Sequence, residues 1–205
     1  MNQDSTIRYF SGLDLGQAQD FTALAVLEQT KLPDPEKKGQ LVRHYAVRHL
    51  ERFPLGTAYT AVCTRLVTIY AAAPLARTTL AVDQTGVGRP VLDMLRRSTI
   101  SASIRPITIT GGHKATPNEG GGYLVPKKEL VSVLQVMLQA RRIKVAPTLP
   151  EAATLVRELT TFQVKITPAA NEVFGAWREG QHDDLVLAVA IAVWQADRGL
   201  EAWVL

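Results

Sequence analysis

"RYFSGLDLGQAQDFTALAVLEQ", residues 8–29, is the stretch on which the fold turns. An apolar run ends in a carboxylate, Asp14, breaks at Gly16 and a short polar turn, and resumes as a second apolar run. Apolar and β-branched segments on either side of "GQAQD" predict two strands, over 7–15 and 20–29, joined as a hairpin. Asp14 then sits at the end of a buried strand. An ionised carboxylate held out of water costs several kcal/mol unless something pairs with it. Its partner is therefore a hydrogen-bond network, the metal of a bound phosphate, or a metal ion itself.

Working outward, "QLVRHYAVRHL" alternates apolar and polar residues after the turn-rich "LPDPEKKG", giving a third strand. Three antiparallel strands open the fold. A helix follows over about Thr57–Ala73, then the strand "TTLAVD" and the Gly-rich turn "QTGVGR". Pro90 suits the first turn of the next helix, "PVLDMLRR". "SIRPITIT" reads as a strand, and "GGHKATPNEGGGY" as a long mobile loop of the kind that carries function. "KKELVSVLQVMLQA" and "LPEAATLVRELTTF" have apolar residues at helical spacing, with the short strand "RIKVAP" between them. "DDLVLAVAIAVWQADR" is apolar nearly all round and so predicts a helix buried against the sheet. The pattern is an α/β fold: a mixed sheet, three antiparallel strands and then parallel ones, with helices on its faces.

A chain of 205 residues, 46% hydrophobic and 20% charged, suits one packed domain spanning 1–205. The net charge of +4 is mild, but basic residues bunch at Arg96-Arg97, Lys127-Lys128 and Arg141-Arg142-Lys144. Such clusters suit a polyanion or a solvated face. Cys63 stands alone within a helical pattern, which fits a small core residue in a reducing cytoplasm. Neither a signal peptide nor a membrane span is apparent, so a cytoplasmic, non-secreted protein is expected.

Four acids share an unusual context. Asp14 and Asp83 each end an apolar strand before a Gly-containing turn, and Asp183 and Asp184 open a helix that is otherwise among the most apolar in the chain. Each has an ordinary role available: a turn residue at Asp14, an Asx-turn at Asp83, a helix N-cap at Asp183 with Asp184 favoured by the helix dipole. If the two strands are neighbours and the last helix starts at the same sheet end, however, the carboxylates converge. Three or four hard oxygen ligands are what Mg²⁺ or Mn²⁺ takes, and two such ions can drive phosphodiester cleavage. Asp20 and Asp93 are assigned to structure, one beginning a strand and the other lying inside a helix.

The chain resembles the C-terminal nuclease domain of phage terminase large subunits, in the ribonuclease H-like superfamily. The resemblance rests on "GLDLGQAQDFTALAVL", "AVDQTGVGRPVLDML", "YLVPKKELVSVLQVMLQARRIKVAP", "LTTFQVK" and "GQHDDLVLAVAIAVW", in order over about residues 8–196. It implies a two-metal endonuclease that cuts phage DNA during genome packaging. Asp14, Asp83 and Asp184 are the implied ligands, Asp183 a fourth carboxylate, and His182 a residue that orients water or contacts phosphate. The expected cofactors are two Mg²⁺ or Mn²⁺ ions. Double-stranded DNA is the expected partner, with a terminase small subunit, a portal and a separate or excised ATPase motor as further ones, in the cytoplasm of the host cell. A phosphate loop of the GxxxxGK[ST] type is missing, and "GGHKAT" lacks its spacing. No ATPase domain is therefore expected within 1–205.

Arg89, Lys114, Lys127 and Lys128 are the basic residues best placed for DNA phosphate. Lys127 and Lys128 begin a helix, where a cation opposes the dipole, so they need another reason to be there. "GLDLG" and "VDQTGVG" also resemble the phosphate-binding turns of actin-like and sugar-kinase ATPases. A junction-resolving nuclease of the same superfamily and a catalytically silent DNA-binding module are the other readings.

Overall fold

The computed structural model describes residues 7–16, 20–86, 88–119, 121–166, 172–175 and 182–198. The opening strands are β1 (Arg8–Asp14), β2 (Ala23–Pro33) and β3 (Leu41–Arg52), followed by α1 (Tyr59–Ala71). β4 (Thr78–Asp83), α2 (Gly88–Arg97) and β5 (Ala102–Thr110) come next. Then come β6 (Thr116–Asn118), β7 (Gly122–Pro126), α3 (Lys127–Gln139), β8 (Ile143–Val145) and α4 (Ala152–Thr161). β9 (Gln163–Ile166) and β10 (Glu172–Gly175) form a separate antiparallel pair, and α5 (Asp184–Arg198) closes the described chain.

The main sheet has eight strands in the order β6-β7-β5-β4-β1-β2-β3-β8. β1, β2 and β3 pair antiparallel, as the sequence leads one to expect, while β4 joins β1 in parallel and β5 continues the parallel run. β1 is therefore central, with apolar contacts on both faces. Side chains alternate between them: Phe10, Ala23, Ala25 and Leu27 face the layer of α3, α4 and α5, whereas Leu13, Leu24, Leu80 and Val82 face α1 and α2. The all-round apolar α5 is buried from Asp184 to Ala196, between β1 and β2 on one side and α3 and α4 on the other. Gly12 permits this packing. A Cβ there would meet the backbone of α5 at Ala188 and Ala192.

One expectation is corrected. The segment over 111–123 contains β6 and the start of β7, which pair antiparallel at the edge of the main sheet, instead of being loop throughout. An edge strand needs a partner on one side alone, so it tolerates Pro117 and the flanking glycines that argued for a loop. No helix among the described residues is long and apolar enough to cross a membrane.

Candidate metal centre

β1 and β4 run parallel with Leu13 opposite Val82, so the next residues, Asp14 and Asp83, leave the sheet side by side at its carboxyl end. In open α/β sheets this is where a crevice forms. Gly16, just after β1, is closely packed. Gly16 donates its N–H to Thr22 Oγ1 at 3.2 Å, accepts from the Tyr59 hydroxyl at 2.7 Å, and has the backbone of Asp20 and Phe21 where a Cβ would stand. Asp20 is thereby folded back towards the strand end it follows.

α5 begins at the same place. Asp14, 8% exposed, is pushed well above the usual carboxylate range, first by burial and then by the like charges of Asp83, Asp184 and Asp183, with Lys127 opposing. Burial also raises Asp83, against hydrogen bonds from Thr85. The Thr85 N–H and hydroxyl both donate to Asp83 Oδ1, at 2.8 and 2.6 Å, so the Asx-turn foreseen at Asp83 is present and orients the carboxylate. Asp184, 4% exposed, is pushed up to about 7 by burial, then by Asp183 and Asp20, with Arg52 opposing. The four acids named from the sequence thus share one electrostatic neighbourhood.

Asp183 and Asp184 play different parts there. The Asp183 carbonyl accepts from Leu187 N–H at 2.9 Å, which puts Asp183 in the N-cap position, but its carboxylate accepts from Lys127 Nζ at 3.0 Å. Lys127 thereby finds its reason for standing at the start of α3. Asp184 turns the other way. One of its carboxylate oxygens lies within 4.8 Å of ligand atoms of Asp20 and His182, a group that could hold a metal ion. His182 Nδ1 is 3.8 Å from Asp184 Oδ2, and its ring meets Phe21 edge-on at 4.7 Å between centroids. Asp20, read from the sequence as structural, belongs to this group.

Two further residues went unseen in the sequence. Glu158 of α4 is 4% exposed, and its Oε2 accepts from Leu185 and Val186 N–H at 2.9 and 3.1 Å. Burial pushes Glu158 up to about 7, with repulsion from Asp184 adding to it and the Val186 N–H opposing. The Arg52 guanidinium lies 3.6 Å from Glu158 Oε1 and 4.1 Å from the centroid of the Phe21 ring. Glu158 follows Ala152 and Leu155 on the buried stripe of α4. An acid at that spacing was the signal to follow.

Of the basic residues, Lys114 is exposed, and Lys128 is half-buried with Nζ 3.3 Å from His113 Nδ1. That contact ties the turn carrying Lys114 to the start of α3, beside Lys127. The Arg89 side chain lies outside the described residues.

Comparison with solved structures finds the fold in known proteins. The large terminase nuclease from thermophilic phage G20c with bound magnesium superposes with a TM-score of 0.61 at 24% identity, over 95% of this chain and 83% of that one. The fold is that of the large-terminase nuclease domains. The g2p large terminase nuclease domain of bacteriophage SPP1, with bound manganese, matches at TM-score 0.54 and 11% identity over 92% of this chain and 86% of that chain. The bacteriophage HK97 large terminase matches at TM-score 0.54 and 14% identity, over 94% of this chain and 40% of that longer one. No protein-family model and no curated protein matches the sequence. The likeness to terminase nuclease domains is therefore one of fold, carried across a low identity.

Proposed function

We propose that the chain is a metal-dependent DNA endonuclease of the terminase type, hydrolysing phosphodiesters of double-stranded DNA with little sequence specificity. The observation that carries the reading is the burial of Asp14 among the like charges of Asp83, Asp183 and Asp184. Such a group is stable when protons or cations neutralise it. The donor set suits a hard divalent cation: carboxylate oxygens, with one imidazole at its edge. Asp184 Oδ2 is buried without a hydrogen-bond partner, an acceptor left for a cation. The fold likeness to nuclease domains solved with magnesium and manganese supports the same choice.

Asp14, Asp83 and Asp184 would hold two Mg²⁺ or Mn²⁺ ions, with Asp20 and His182 beside Asp184 and Asp183 available on release from Lys127. When bound, such ions supply a water of lowered pKa and positive charge at the leaving oxygen. The chain's own residues do the rest. Lys127 balances the acidic cluster while DNA is absent and can turn to a phosphate when Asp183 changes partner. Lys114 and Lys128 form a basic rim on that side for the DNA backbone, and Arg89 belongs to the same proposal. His182, braced by Phe21, orients a water or meets a phosphate oxygen. The basic residues named here are assigned to backbone phosphates, contacts that carry no sequence information, so little sequence specificity is expected.

In this role the chain works on phage DNA during genome packaging in the host cytoplasm, alongside an ATPase motor, a small subunit and a portal. Incubation with supercoiled plasmid tests the activity: nicked and then linear DNA with Mn²⁺ or Mg²⁺, and intact plasmid with EDTA. Intact plasmid under both metals contradicts the reading.

A further inference from the structure

The N-terminus of α5 carries two adjacent acids that a helix start would ordinarily consume. An Asp in the N-cap position turns its carboxylate back onto the N–H groups of the first turn, which lack partners within the helix. Asp183 holds that position, yet its carboxylate reaches out to Lys127 at 3.0 Å. The Leu185 and Val186 donors are taken instead by Glu158 Oε2, from a different helix, at 2.9 and 3.1 Å. Arg52, 3.6 Å from Oε1, helps to hold the glutamate in place. Burying a carboxylate beside Asp184 works against stability, so this is a costly way to cap a helix that already has an Asp at its N-cap position.

We propose that Glu158 is a positioning residue: by capping α5 from outside, it leaves the Asp183 carboxylate on Lys127 at the edge of the metal centre and fixes the helix start from which Asp184 meets Asp20 and His182. This rests on the nuclease reading for its catalytic consequence, but not for its effect on cation binding. Without Glu158, the free N–H groups of Leu185 and Val186 draw the Asp183 carboxylate back onto its own helix. Asp183 then leaves Lys127, and the alignment of Asp184 is lost with it.

The test compares wild type with Glu158→Ala and Glu158→Gln, reading Mn²⁺ affinity by electron paramagnetic resonance and plasmid cleavage by kcat and KM. Glu158→Ala is expected to weaken Mn²⁺ binding and lower kcat by about 10- to 100-fold, the usual loss when a residue orienting metal ligands is removed. KM for DNA should stay unchanged. Glu158→Gln keeps an oxygen acceptor and should restore most of both losses, which a role in stability alone does not predict. A folded Glu158→Ala protein with wild-type Mn²⁺ affinity and kcat overturns the proposal. Should Glu158→Ala fail to fold, Glu158→Asp withdraws the acceptor by one methylene and must weaken Mn²⁺ binding; wild-type affinity there overturns the proposal as well. If the wild type binds Mn²⁺ but leaves DNA intact, the nuclease reading falls, and the Mn²⁺ comparison alone decides the role of Glu158.

Discussion

Asp14 is the residue whose position is hardest to explain without a cation, since burial and three neighbouring acids all act against its charge. Asp14→Asn should abolish cleavage while raising the metal-free melting temperature by roughly 2–4 °C, the shift that ~1 kcal/mol gives a chain of this size. Differential scanning calorimetry in EDTA checks this; an unchanged or lower melting temperature speaks against like-charge repulsion at Asp14. Asp184 and Glu158 contribute to the pH dependence, in the same direction as Asp14 and Asp83, which burial also raises. The folded values of Asp184 and Glu158, about 7 for each, lie above the ordinary 3.8 and 4.5, so the folded state binds protons that the unfolded state has already released. Their contribution to stability is full below about pH 4 and is lost as pH rises towards and through 7. Metal-free melting temperature should therefore fall between pH 5 and 8, and a flat profile contradicts the assignment. As candidates, Asp14, Asp83, Asp183 and Asp184 were legible in the sequence because an acid at the end of an apolar strand or helix stands out locally. Asp20 and Glu158 were not, because each joins the site through contacts with residues far along the chain.

At the scale of elements, the centre is the meeting of two strand ends with one helix start. The hydrophobic pattern showed that β1 and β4 end in acids and that α5 is buried; it did not show their register or where α5 begins over the sheet. Gly12 is what lets α5 lie directly on β1, since a side chain there would press on backbone at Ala188 and Ala192. Gly12→Ala should cost at least about 3 kcal/mol, the upper part of the overpacking range, because backbone must move and not the end of a side chain. Urea unfolding measures it; a loss under about 1 kcal/mol would mean that α5 is less closely seated. The hairpin of β6 and β7 is hidden in the sequence for a physical reason. Gly- and Pro-containing segments at a sheet edge take their order from a single neighbouring strand, which local composition does not reveal.

Across the whole molecule, the parallel β1–β4 pair, the close packing of Asp20 and Phe21 on Gly16 and the capped start of α5 bring acids from four parts of the chain to one end of the sheet. A divalent cation that binds the folded state alone should raise stability by about 2.7 kcal/mol at a hundred times its dissociation constant. The melting temperature of wild type, but not of Asp14→Asn, should climb accordingly on adding Mn²⁺ near pH 8. The fold was legible in outline from the hydrophobic pattern; the pairing of Lys127 with Asp183, which leaves Asp184 to Asp20 and His182, required the packed chain. The most direct test of the metal centre is an anomalous difference map from a crystal soaked in Mn²⁺. Density against the carboxylates of Asp14 and Asp184 is the predicted result, and a fully occupied soak with no density at that end of the sheet would contradict it.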